Sequence, residues 1–115
     1  MFVTAEGNAR VQFRRAIERK NLMGAEMALR EMGAIELLEA LDYVALLAEL
    51  RPGKAPRAAV RWHGRLETEA SMLTLPESAL ALAALIGLCS GDREALGLLR
   101  RLVRRVRPTV VPSHV

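Results

Sequence analysis

Ala79-Leu80-Ala81-Leu82-Ala83-Ala84-Leu85-Ile86-Gly87-Leu88-Cys89 is the longest charge-free apolar run in the chain, eleven residues. A helix that crosses a bilayer needs about 20 such residues, so this stretch reads as a buried helix of a soluble domain. A helix that is apolar on nearly all sides has to be covered by neighbours on several of them. The run is therefore expected to be the central helix of a helical array, and the rest of the chain has to supply its cover.

That cover is legible as five further helices, cut by turn residues. Ala9, Phe13, Ala16 and Ile17 fall at i, i+4, i+7 and i+8, one face of a first helix from about residue 5 to 20. Asn21 can cap a second helix, which runs to about Met32, by accepting a free backbone N–H. Glu26 and Arg30 are spaced as an i,i+4 ion pair on it. Gly33 is expected to end it in the left-handed conformation. A largely covered third helix reaches about Leu50, and Arg51-Pro52-Gly53-Lys54 is the clearest loop. The fourth helix starts near Ala55 or Pro56, carries the seam Ala59, Trp62 and Leu66, and ends near Ser71. Thr74-Leu75-Pro76-Glu77 has the capping-box spacing and opens the fifth helix, the apolar run itself. Ser90-Gly91-Asp92 breaks the chain, and Asp92 caps a sixth helix that reaches about Arg107.

The fold class expected is all-α, a compact array of about six short antiparallel helices, in the manner of stacked helical hairpins of the HEAT or TPR kind. A shift of 39 residues lays Ala45-Leu46-Leu47 on Ala84-Leu85-Ile86, Arg61 on Arg100 and Arg65 on Arg104. Residues 1–107 are expected to form one helical domain, and Pro108 and Pro112 mark 108–115 as a loose tail.

Composition narrows the chemistry. The only aromatics are Phe2, Phe13, Tyr43 and Trp62, so the core has to be built from Leu, Ala, Ile, Val and Met. Cys89 is the only cysteine, which excludes an intramolecular disulfide and a cysteine-based zinc site. The amino terminus shows no basic region followed by an apolar stretch, so no signal peptide is read and a reducing cytoplasm is the expected compartment.

Catalytic motifs do not emerge. His63 has Glu67 one turn on, but two ligands do not make a metal site. The four serines and two histidines show no nucleophile–base–orienter spacing. Cys89 has no neighbouring base and sits at a helix C-terminus, where the dipole disfavours a thiolate. Arg51-Pro52-Gly53-Lys54 lacks the spacing of a phosphate-binding loop. No enzyme, no cofactor and no small-molecule substrate is expected.

Phe13-Arg14-Arg15-Ala16-Ile17, Asn21-Leu22 and Ala58-Ala59-Val60-Arg61-Trp62-His63-Gly64-Arg65, with the apolar fifth helix, resemble uncharacterised small all-helical proteins of actinobacterial, high-GC genomes. The resemblance covers about residues 10–107. It implies an all-helical fold and brings no activity and no functional residues with it.

Charge is the remaining signal. Residues 1–50 hold 6 basic and 8 acidic groups, and residues 51–115 hold 11 and 5, so the second half carries the net positive charge. Arg57, Arg61 and Arg65 recur every four residues on the fourth helix. Arg100, Arg101, Arg104 and Arg105 cover the polar side of the sixth. If the fourth and sixth helices pack side by side, these stripes merge into one ridge. The set reads either as a solvated face or as a surface for a polyanion or a partner. The sparse aromatics argue against a membrane interface and against base stacking. The function expected is a small non-enzymatic helical interaction module, with a protein partner or a homodimer. The alternative is a basic accessory protein that holds duplex nucleic acid through phosphate contacts.

Overall fold

In a computed structural model the structure describes residues 5–106, and the expected tail at 108–115, with Arg107, lies outside them. Six helices follow one another: α1 (Ala5–Glu18), α2 (Leu22–Glu31), α3 (Leu37–Leu50), α4 (Ala55–Glu69), α5 (Leu75–Cys89) and α6 (Glu94–Val106), with a 3-10 turn over Pro52–Lys54 and no strand among the described residues. The all-α expectation holds.

Local chemistry sets the ends. Asn21 Oδ1 accepts the N–H of Gly24 at 3.0 Å and starts α2. Glu39 reaches back to the N–H of Glu36 at 3.0 Å and starts α3. Thr74 and Glu77 exchange the two bonds of a capping box, Thr74 N–H to Glu77 Oε1 at 2.9 Å and Glu77 N–H to Thr74 Oγ1 at 3.3 Å. Asp92 accepts the N–H of Glu94 at 3.0 Å. Two expectations fail locally. Gly33 is not left-handed; the chain leaves α2 through an extended Met32 (φ −74°), and among the described residues the left-handed ones are Lys20 (φ 56°) and Gly91 (φ 99°). Glu26 does not pair with Arg30 but accepts the Tyr43 hydroxyl at 2.7 Å, because α3 brings this half-buried donor within reach.

Helices adjacent in sequence pack as neighbours, α1 on α2, α3 on α4, α4 on α5 and α5 on α6, and α3 also touches α5 and α6. The extents are 45 × 40 × 20 Å, and the thinnest dimension is about two helix diameters. Two apolar clusters result. The larger one joins α3 to α6 and is centred on Leu41, Trp62, Leu66, Leu85 and Leu99. The smaller lies between α1 and α2, with Leu46 of α3 at its base.

The buried faces revise the repeat. A shift of 40, not 39, lays Ala55, Ala59, Trp62 and Leu66 on Ala95, Leu99, Leu102 and Val106, all buried. It also lays Leu41 and Val44 on Ala81 and Ala84. One residue is about 100° around a helix, so the 39-residue match paired positions on different faces.

Ion pairs tie the outer helices to α3. Arg10 meets Glu39 at 2.6 Å and Arg100 meets Asp42 at 2.7 Å. Glu49 joins Lys20 at 2.6 Å and Arg93 at 2.8 Å. Burial pushes the Glu39 carboxyl up, but the bond from Arg10, the N–H of Glu36 and the charges of Arg10 and Arg14 outweigh it and hold the group below its ordinary value. Glu49 is held low first by the hydrogen bond from Lys20 and then by Arg93.

Candidate functional site

The seven candidate arginines do not form one ridge. α5 lies between α4 and α6 and packs on each. The side-by-side pairing of α4 with α6 is thereby replaced by an alternation of hairpins. Three members of the set are engaged. Arg65 binds Glu69 at 2.7 Å and the Ile35 carbonyl at 2.6 Å. Arg100 binds Asp42, and Arg105 binds Glu77. Glu77 is held low by the Thr74 backbone N–H first and by Arg105 further down. Arg57, Arg61, Arg101 and Arg104 are exposed and carry no ion pair among the described residues. Arg57 and Arg61 lie toward α3, whereas Arg101 lies beside α5, where it lines a shallow cleft of about 250 Å³ with Leu80 and Leu98.

One constellation escaped the sequence reading. His63, Glu67 and Ser78 meet between α4 and α5. Ser78 Oγ donates to Glu67 Oε2 at 2.6 Å and lies 3.1 Å from His63 Nε2, which is 3.0 Å from the Ser78 carbonyl oxygen. These are the residue types of a hydrolytic triad, but the hydrogens are in the wrong places. A carbonyl only accepts, so His63 Nε2 carries the hydrogen and has no lone pair for the serine proton. The hydroxyl hydrogen goes to Glu67 instead, and His63 Nδ1 stands 3.8 Å from that carboxylate, beyond hydrogen-bond range. Ser78 is buried within a helix. The arrangement is a polar clamp that fixes α5 against α4. The signals for it in the sequence are His63 with Glu67 one turn on and a serine inside an apolar helix, since a buried hydroxyl needs a partner.

Trp62 is a core residue, 2 % exposed, and its Nε1 donates to the Leu37 carbonyl at 2.8 Å. Cys89 is half-buried, and burial pushes its thiol up. Among the described residues no cluster of His, Cys, Asp and Glu is placed to hold a metal ion, and no helix is long and apolar enough to cross a membrane.

An exposed apolar surface lies on α5. The helix is flanked on both sides as a central helix should be, and Ser78, Ala81, Ala84, Leu85 and Leu88 are buried. Its outer face is bare, which corrects the expectation that it is covered. Met72 just before it is 75 % exposed, Leu75 85 % and Ile86 63 %, with Leu80 and Leu82 also exposed. Leu75, Ala79, Leu82 and Ile86 are spaced 4, 3 and 4 apart along α5, the a/d spacing of a helix seam, and Met72 lies in the turn that leads into it. A thin slab has too few helices to surround its most apolar one.

The chain has no match among family models, curated proteins or solved structures.

Proposed function

We propose that this protein is a non-enzymatic helical interaction module and that its contact surface is the outer face of α5, where a second copy packs in parallel. The observation that carries this reading is the a/d stripe from Leu75 to Ile86, left open on the most apolar helix among the described residues. Contiguous exposed apolar surface of this kind marks interaction sites. A two-fold contact must be self-complementary, and a stripe free of charge meets that condition.

The flanks choose the direction. Glu67 lies on the α4 side at the level of Ser78, which its carboxylate holds. Arg101 lies on the α6 side at the level of Leu80. A two-fold axis along α5 keeps these levels and sets α4 over the partner's α6, so each Glu67 faces an Arg101. An axis across α5 would set α6 over α6 and oppose arginines. Charge therefore favours the parallel dimer.

Sedimentation over a concentration series tests this. Wild type is expected to dimerise, and Ile86→Glu to remain a monomer of unchanged helicity. Arg101→Glu, which would face Glu67, should weaken the dimer several-fold. A wild-type monomer at every concentration would sink the proposal. The nucleic-acid alternative draws less support, because Arg65, Arg100 and Arg105 already serve carboxylates and α5 divides the remaining arginines.

A further inference from the structure

A cleft of about 420 Å³ opens where α2, α3 and the start of α4 meet, and it shares no lining residue with α5. Its volume falls in the range of small-ligand sites, roughly 300–1,000 Å³. Ala58, with the small accessible part of Leu47, which is 3 % exposed, gives it an apolar patch. Lys54, Arg57 and Arg61 line it with three cations, all exposed and none with an ion pair or side-chain hydrogen bond among the described residues.

Three like charges around one concavity repel each other unless something answers them. Among the described residues the only carboxylate in the lining is Glu26, and one of its oxygens is already taken by the Tyr43 hydroxyl at 2.7 Å. Burial first, and the Glu26 bond second, push the Tyr43 phenol up to about 12, so it stays a donor committed to Glu26. Three cations against one carboxylate leave a local charge of +2. The start of α4 adds to it, since its first turn has no acidic residue and no side-chain cap.

We infer that this cleft binds a small phosphate monoester. The dianionic head is held between Arg57, Arg61 and Lys54, and a compact apolar body lies on Ala58 and the accessible part of Leu47. A phosphate monoester carries about −1.5 to −2 at neutral pH, which matches the local excess. Arg57 and Arg61 are one turn apart on one face of α4, and each planar fork can meet two phosphate oxygens. A monocarboxylate would leave half of the charge unanswered. A concave site with an apolar patch at Ala58 and Leu47 fits a single head group with an apolar neighbour better than the convex backbone of a duplex.

A backbone-amide NMR titration with phenyl phosphate, inorganic phosphate and phenol tests the inference. Phenyl phosphate is expected to give saturable shifts at Gly53, Lys54 and Ala58 and at the Arg57 and Arg61 Nε–H groups. Inorganic phosphate should bind there more weakly, and phenol should not bind. Arg57→Gln with Arg61→Gln should lower the affinity about tenfold or more, as loss of charge-assisted bonds does. Both side chains are exposed, so the fold survives the change. Glu26→Gln should tighten binding several-fold. The Ile86→Glu variant should bind as wild type does, which separates this site from the α5 contact. The inference is overturned by any of three results: no saturable shift in the cleft, unchanged affinity in the double variant, or shifts near Arg101 and Arg104 as large as those in the cleft, which would mean general attraction to a cationic surface.

Discussion

Replacing Trp62 tests the packing argument at its most concentrated point. The indole is 2 % exposed and lies in the cluster that joins α3 to α6. Truncating a buried Trp to Ala costs about 3–5 kcal/mol, a transfer loss plus a cavity. The bond from Nε1 to the Leu37 carbonyl adds about 1 kcal/mol of net stability. Removing the indole strands no donor. Leu37 opens α3, so its carbonyl keeps the helical bond from four residues on. Trp62→Ala is therefore expected to cost roughly 4–6 kcal/mol, a large part of the 5–15 kcal/mol typical of a domain. Trp62→Phe keeps most of the ring contacts and loses the bond, so roughly 1–2 kcal/mol is expected. Urea unfolding followed by circular dichroism measures both. Wild-type fluorescence should be blue-shifted and resist iodide. A loss below about 1 kcal/mol for Trp62→Ala, or a red and freely quenched emission, would refute the packing argument.

Three further outcomes follow from the polar contacts. Thr74→Ala removes the acceptor of the 3.3 Å bond from Glu77 N–H, and because that bond is long the cost should fall near the lower end of the N-cap range, about 0.5–1 kcal/mol, read from the melting midpoint. Tyr43 is the only tyrosine, so its phenolate absorbance titrates alone; it should rise near 12 rather than 10, and Glu26→Gln should bring it down. The fold holds that phenol protonated, so its contribution is whole below pH 10 and is lost as pH rises toward 12. Glu39, Glu49 and Glu77 are all held below the ordinary 4.5. Their contribution is present above that value and is lost as pH falls through their lowered range, so a melting midpoint that stays flat on acidification would contradict the ion pairs described.

The helices were legible because their signals are local. Asn21, Thr74 with Glu77, and Asp92 cap helices through backbone groups two or three residues away, and Trp62 with Ala59 and Leu66 marks a seam at helical spacing. What was hidden depends on long-range placement. Glu26 has an i,i+4 partner in the sequence, yet it turns to Tyr43, 17 residues away. His63 and Ser78 meet only because α4 and α5 run antiparallel. Apolar composition said that α5 wants cover on several sides. It did not say that α3, α4 and α6 leave one of them open. Lys54, Arg57 and Arg61 become a cleft only once α2 and α3 supply its other wall.

The small cluster between α1 and α2 has a dynamic consequence. Ala9, Phe13, Ala16, Ala25, Ala28 and Met32 are buried mainly against one another, and Leu46 is the one buried contribution from α3. The hairpin is fastened to the rest by that leucine with Ile35 and Tyr43 beside it, by the Tyr43–Glu26 hydrogen bond, and by two ion pairs, Arg10 with Glu39 and Lys20 with Glu49, and it is expected to behave as a cooperative unit of its own. Units of this kind open at a free energy below that of global unfolding. Amide protons of α1 and α2 should exchange with solvent while those of α5 and α6 wait for the whole chain to unfold. The first two helices are then expected to unfold and refold as an event separate from the rest.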